Sequence, residues 1–157
     1  MKDKRSVKKY IFIAVIGLTI LFIWSNSFKV GDASMDDSNG IKQIFILFFS
    51  YFGINIENSF FIEFIRKIGH FAEYFILGAQ LMIFKILYFK KDVFSFVNIL
   101  FIGIGVAFLD ETIQLIPMLD RSAEVADLWI DISGILCAFA VVSVIHYFIS
   151  LIKKGKS

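Results

Sequence analysis

The run FFIEFIRKIGHFAEYFILGAQLMIFKILYF, Phe60 to Phe89, decides how this chain folds. As a helix rising 1.5 Å per residue it is about 45 Å long, more than the roughly 30 Å hydrocarbon core of a bilayer. Its first two turns, with Glu63, Arg66 and Lys67, therefore project into the headgroup region. Beyond them, Arg66, His70, Glu73 and Tyr74 follow one another at spacings that share one helix face. An apolar spanning helix thus carries an ionisable stripe near one end.

Three further runs have the same character. Tyr10 to Trp24 follows the basic head KDKRSVKK, Phe94 to Ile116 is closed by Pro117, and Val125 to Ile152 is stopped by KKGKS. The chain has 157 residues, of which 58% are hydrophobic, with 20 Phe and a single Pro. That composition excludes an ordinary soluble core and describes spanning helices. We therefore expect an all-α integral membrane bundle of four transmembrane helices, forming one domain over 1–157. The first run ends in bulky Trp24 with no small-residue cleavage site beside it, so it reads as an uncleaved helix rather than a signal peptide. Residues 44–54 are apolar but too short to span, and are expected to be interfacial or re-entrant. Ser25 to Gly40 reads as a polar loop; its acids lack the oxygen spacing of an EF-hand. Cys137 is the lone cysteine, so no disulfide forms within the chain.

Orientation follows from the cations. Lys2, Lys4, Arg5, Lys8 and Lys9, then Lys85, Lys90 and Lys91, then Lys153, Lys154 and Lys156 fall on one side of a four-span topology. The positive-inside rule makes that side the cytoplasm, with both termini there. The cations lie along the membrane boundary and form no separate basic domain, so nucleic acid is not an expected partner. The lipid bilayer is.

With that topology the polar residues of three helices meet at one depth near the outer face. Asp110, Glu111 and Gln114 occupy the last turns of the third span, Glu124, Asp127 and Asp131 the first turns of the fourth, and Arg121 the connection between them. Ser25 and Ser27, just beyond the first span, either join this polar mouth or form a solvated helix end. Ionisable groups inside a bilayer cost on the order of 3 kcal/mol and normally face a bundle interior or a wet cavity. Below Asp131, Gly134 and Ala138 form a small-xxx-small pattern that permits close helix contact. Gly103 and Gly105 read as packing positions of the third span.

Three readings of this constellation stand side by side. It is a hydrogen-bond and ion-pair network that holds the helices in register. Alternatively it is a pocket for a phospholipid headgroup or a lipid-linked envelope precursor, with Arg66 and Arg121 gripping phosphate or carboxylate and Lys67, Tyr74, Gln114, Asp127 and Asp131 lining it. Or it is catalytic, with His70, Glu73 and Glu111 as acid–base groups. In that case His70, Glu73, Glu111, Asp127 and Asp131 are candidate ligands for a divalent metal: Zn²⁺ or Mn²⁺ for mixed nitrogen and oxygen donors, Mg²⁺ for carboxylates alone. The sequence places no nucleophilic serine or cysteine in a recognisable elbow, which favours metal-assisted hydrolysis or transfer over acyl-enzyme chemistry.

The motifs K-x-x-H-x-x-E-Y (Lys67, His70, Glu73, Tyr74), E-x-x-Q (Glu111, Gln114), Arg121 and D-x-x-x-[ND]-x-x-G (Asp127, Asp131, Gly134) together resemble the VanZ-like membrane proteins. The resemblance covers about 60–138. It departs where this chain has Asp131 for the usual Asn, Ala138 for Gly, and PMLDR without the usual Pro-Gly before Arg121. The resemblance implies a role in the Gram-positive cell envelope, associated with reduced susceptibility to glycopeptide antibiotics, teicoplanin especially. It implies no particular reaction.

Overall fold

A computed structural model describes residues 4–28, 47, 50–51, 59–89, 92–115 and 125–155. Among them are four long helices and no strand: α1 (Lys4–Ser27), α2 (Ser59–Tyr88), α3 (Val93–Gln114) and α4 (Val125–Lys154). All four are long and apolar enough to cross a membrane. Of the segment 44–54, only Leu47, Ser50 and Tyr51 are described, each helical; its remaining residues lie outside the described residues.

The helix ends have local causes. α3 starts where the Asp92 side chain accepts a hydrogen bond from the Ser95 amide at 2.6 Å, a conventional N-cap. It stops at Gln114, with Leu115 as the cap, because Pro117 cannot continue the ladder. The expected end at Ile116 is thus slightly too late. α4 carries Asp127 in its first turn and Lys153 and Lys154 in its last, both matching the helix dipole. α1 differs from expectation at its start: it begins at Lys4, so the basic head is the first part of the helix itself.

Residue pairs across the interfaces give the directions. Arg66 meets Asp127 and His70 meets Asp131, while farther along Gly78 lies against Ala138, so α2 and α4 run parallel. Ser27 meets Asp110, whereas Phe12 stacks on Phe84 at 5.7 Å and Asn26 reaches Glu73, so α1 is antiparallel to α2. Phe96 packs on Phe139 at 5.5 Å and Gly103 on Ile135, which makes α3 antiparallel to α4. The bundle is therefore up-down-up-down. Lys4, Lys9, Lys85 and Lys154 share one of its ends.

α2 and α4 form the most extensive contact, and small residues explain it. A Cβ on Gly134 would come within 2.6 Å of the Phe71 carbonyl oxygen, and one on Gly78 within 2.9 Å of the Ile135 Cα. Without a hydrophobic drive between helices in lipid, close van der Waals contact of this kind holds them together. Gly103 serves the same end, since a Cβ there meets Ile135 and Leu81 at 3.3 Å. Gly105 does not: a Cβ there meets nothing within 4 Å. The expectation for Gly105 as a packing position is thus corrected; it lies on the side of α3 away from the neighbouring helices.

Apolar residues cover the outside. Leu18, Leu21 and Phe22 on α1, Phe101, Ile102 and Phe108 on α3, and Val144, Ile145 and Phe148 on α4 are all exposed. A soluble protein rarely displays apolar surface on this scale. The inside is inverted, since Asp110, Asp127, Asp131 and Gln114 are among the most deeply buried side chains. This is a multi-pass membrane protein with a polar centre.

Candidate metal centre

The centre forms at the end of the bundle where α1 and α3 finish and α4 begins. Each helix contributes the polar residues of its buried face. On α3 the buried positions are Ile99, Gly103, Val106, Ala107, Asp110, Glu111 and Gln114, a helical stripe that changes from apolar to polar in its last two turns. On α4 the stripe runs the other way, from Asp127 and Asp131 to Gly134, Ile135 and Ala138. α2 supplies Arg66, His70, Glu73 and Tyr74, the last fully buried.

Arg66 Nη2 stands 3.3 Å from Asp127 Oδ2, and His70 Nδ1 stands 3.5 Å from Asp131 Oδ1. Gln114 donates to Glu111 Oε1 at 3.4 Å. Four acids, Asp110, Glu111, Asp127 and Asp131, are buried together, with the Arg66 cation and the His70 imidazole facing them from α2. Buried carboxylates in low dielectric require cations, protons or hydrogen-bond donors. Neither oxygen of Asp131 carries a hydrogen bond among the described residues, and neither does His70 Nδ1. Their lone pairs are of the kind that bind a metal ion.

His70, Asp110 and Asp131 each offer one ligand atom within 4.8 Å of the others. Atoms bound to one metal at about 2.1 Å lie at most about 4.2 Å apart, so small side-chain rotations close the triangle. One nitrogen and two oxygens suit Zn²⁺ or Mn²⁺. A divalent cation also supplies the positive charge that a cluster of buried acids lacks. Asp110, expected at the polar centre but not among the candidate metal ligands, completes this triangle. Of the other candidate ligands, Glu111 and Asp127 are buried around the triangle and Glu73 is half-buried beside it.

α1 takes part more fully than expected. Ser27 is buried and donates to Asp110 Oδ1 at 2.5 Å, and Asn26 donates through Nδ2 to Glu73 Oε1 at 2.8 Å. Ser25 turns back to the Phe22 carbonyl at 2.7 Å and stays exposed. The signal for Ser27 was its place on the stripe Ile16, Ile23, Ser27, which is the buried face of α1. Nothing in the spacing marked Asn26. Lys67 pairs with Glu63, one turn earlier on α2, at 2.5 Å. Arg121 and Glu124 lie outside the described residues.

The chain matches the family described as VanZ/LLP1 over residues 12–146. No curated protein and no solved structure matches it.

Proposed function

This chain belongs to the VanZ/LLP1 family of membrane proteins, and from that premise we propose that it is a metal-assisted hydrolase or transferase of the cell envelope. The reading rests on one observation, the juxtaposition of partly buried His70 with buried Asp110 and Asp131, each offering a ligand atom within 4.8 Å of the others. These three hold a divalent cation, Zn²⁺ or Mn²⁺. A cation held there would supply Lewis-acid polarisation of an ester oxygen of the substrate headgroup. Glu111 or Glu73 takes the proton from the attacking water or acceptor hydroxyl. One bond from that oxygen to the substrate forms as the bond to the leaving oxygen breaks, and the proton passes to the leaving group. Ser27 fixes Asp110 through its hydroxyl, and Tyr74 and Gln114 line the floor. The positive-inside rule puts the lysine-rich end in the cytoplasm and the centre at the outer face.

A second reading keeps binding and omits turnover. The Arg66 side chain is 29% exposed above the centre while paired with buried Asp127, so part of its fork remains available to an anionic headgroup. Arg121 is the other cation assigned to that grip. Under either reading, altered handling of lipid-linked wall material lowers sensitivity to glycopeptide antibiotics such as teicoplanin.

The two separate in one assay. Purified protein loaded with Zn²⁺ or Mn²⁺ is incubated with a lipid extract of Gram-positive membranes, and products are followed by mass spectrometry. A lipid species consumed by the wild type and untouched by folded Asp131→Asn protein is the expected result. Metal-loaded protein that retains a lipid but converts none would leave binding alone.

A further inference from the structure

Glu73 faces two ways. Through Asn26 and the neighbouring Ser27–Asp110 bond it is tied to the polar centre, and it stands one turn from His70 on α2. It also lines a cavity of about 310 Å³ between α1 and α2, whose other walls are Val15, Leu18, Thr19, Phe22, Ile23 and Ile76. Thr19 donates its hydroxyl to the Val15 carbonyl at 3.1 Å, so its one polar group is already turned to backbone. The cavity is thus an apolar trough with a single carboxylate where it meets the centre. Leu18, Phe22 and Ile76 are more than half exposed on the outside of the bundle, at 66%, 58% and 53%, so the trough opens sideways to hydrocarbon.

The contacts of α1 leave room for this opening. Its buried residues are only Ile16, Ile23 and Ser27. Asn26 and Ser27 fasten one end, and Phe12, stacked on Phe84 and edge-on to Tyr88 at 6.5 Å, fastens the other. The trough lies between these two fastenings. The Asn26–Glu73 pair gives this lipid-open trough a polar head above an otherwise apolar lining. A lipid with its head at Glu73 and its chain along Val15, Leu18, Phe22 and Ile76 satisfies both parts of the lining. Among heads, a phosphate fits best, because its oxygens bind a divalent cation held by carboxylates, whereas without the cation these acids repel it.

We propose that a phosphate-bearing lipid enters the centre sideways from the membrane, its chain in the α1–α2 trough and its head passing Glu73 to the His70–Asp110–Asp131 triangle. This inference rests on the metal reading above and adds the substrate class and its route.

The test uses the full chain in phosphatidylcholine nanodiscs containing a trace of phosphatidic acid with a photoreactive diazirine in one acyl chain. A matched photoreactive diacylglycerol, lacking the phosphate, is the control. With Mn²⁺ bound, phosphatidic acid labels Leu18, Phe22 and Ile76 about tenfold more than diacylglycerol does. EDTA removes that excess, and so do the trough-filling variants Ile76→Trp and Leu18→Trp, at unchanged Mn²⁺ occupancy. Equal labelling by the two lipids on Mn²⁺-loaded protein shows only surrounding bilayer lipid and overturns the proposal. Phosphate-selective labelling that survives EDTA keeps the trough and overturns the metal reading. Protein that neither binds Mn²⁺ nor labels selectively overturns both.

Discussion

Gly134 on α4 and Gly105 on α3 differ in what a methyl group meets, and that difference is measurable. At Gly134 the methyl runs into α2 backbone at 2.6 Å, which cannot rotate away, so the helices must part. Gly134→Ala is expected to cost about 1–3 kcal/mol, read as a lower thermal midpoint in detergent. Gly105→Ala meets open space and removes a helix-weakening glycine, so its midpoint stays unchanged or rises slightly. Charge follows a similar logic at Arg66. Removing it leaves buried Asp127 without its 3.3 Å partner, and Arg66→Ala is expected to cost about 2 kcal/mol, discounted because Arg66 is partly solvated. Adding Asp127→Asn should restore most of that loss in a double-mutant cycle. Asp110 shows where residue-level reading ends. Asp110 and Glu111 are neighbours about 100° apart on a helix, and only the placement of α2 and α4 against α3 decides which of the two joins His70 and Asp131.

The four spans were legible because apolar length is read directly in a bilayer, where every backbone group must be satisfied within its own helix. A close helix contact by α4 was legible too, through Gly134 and Ala138, although not that its partner is α2. α1 was harder. Most of its surface faces outward and few of its residues are buried, so little in its pattern distinguished an isolated anchor from a member of the site. Its attachment involves Asn26, which nothing in the spacing marked, and Ser27, which reads equally well as a solvated helix end. If these bonds fasten α1, spin labels at Leu21 and Ile83 in Asn26→Ala/Ser27→Ala protein will give a broader distance distribution than in wild type. An unchanged distribution would mean that Ile16, Ile23 and Phe12 hold the helix alone.

Across the whole molecule, the up-down-up-down path gathers cations at one end and buried acids at the other. The orientation inferred from this is open to cysteine labelling in a Cys137→Ser background. Leu115→Cys should react with an impermeant maleimide on intact cells, and Lys154→Cys only after permeabilisation; the reverse pattern would invert the topology. The polarity of the bundle matters because it sets which leaflet feeds the centre. The proposed chemistry requires the His70–Asp110–Asp131 triangle to hold a divalent cation, and pulsed electron paramagnetic resonance of Mn²⁺-titrated protein tests this most directly. The expected spectrum has one bound Mn²⁺ per chain coupled to a single imidazole nitrogen, with the coupling lost in His70→Gln and affinity lowered at least about tenfold in Asp131→Asn. Folded protein that binds no Mn²⁺, or binds it equally well with His70, Asp110 and Asp131 all replaced, would contradict the account.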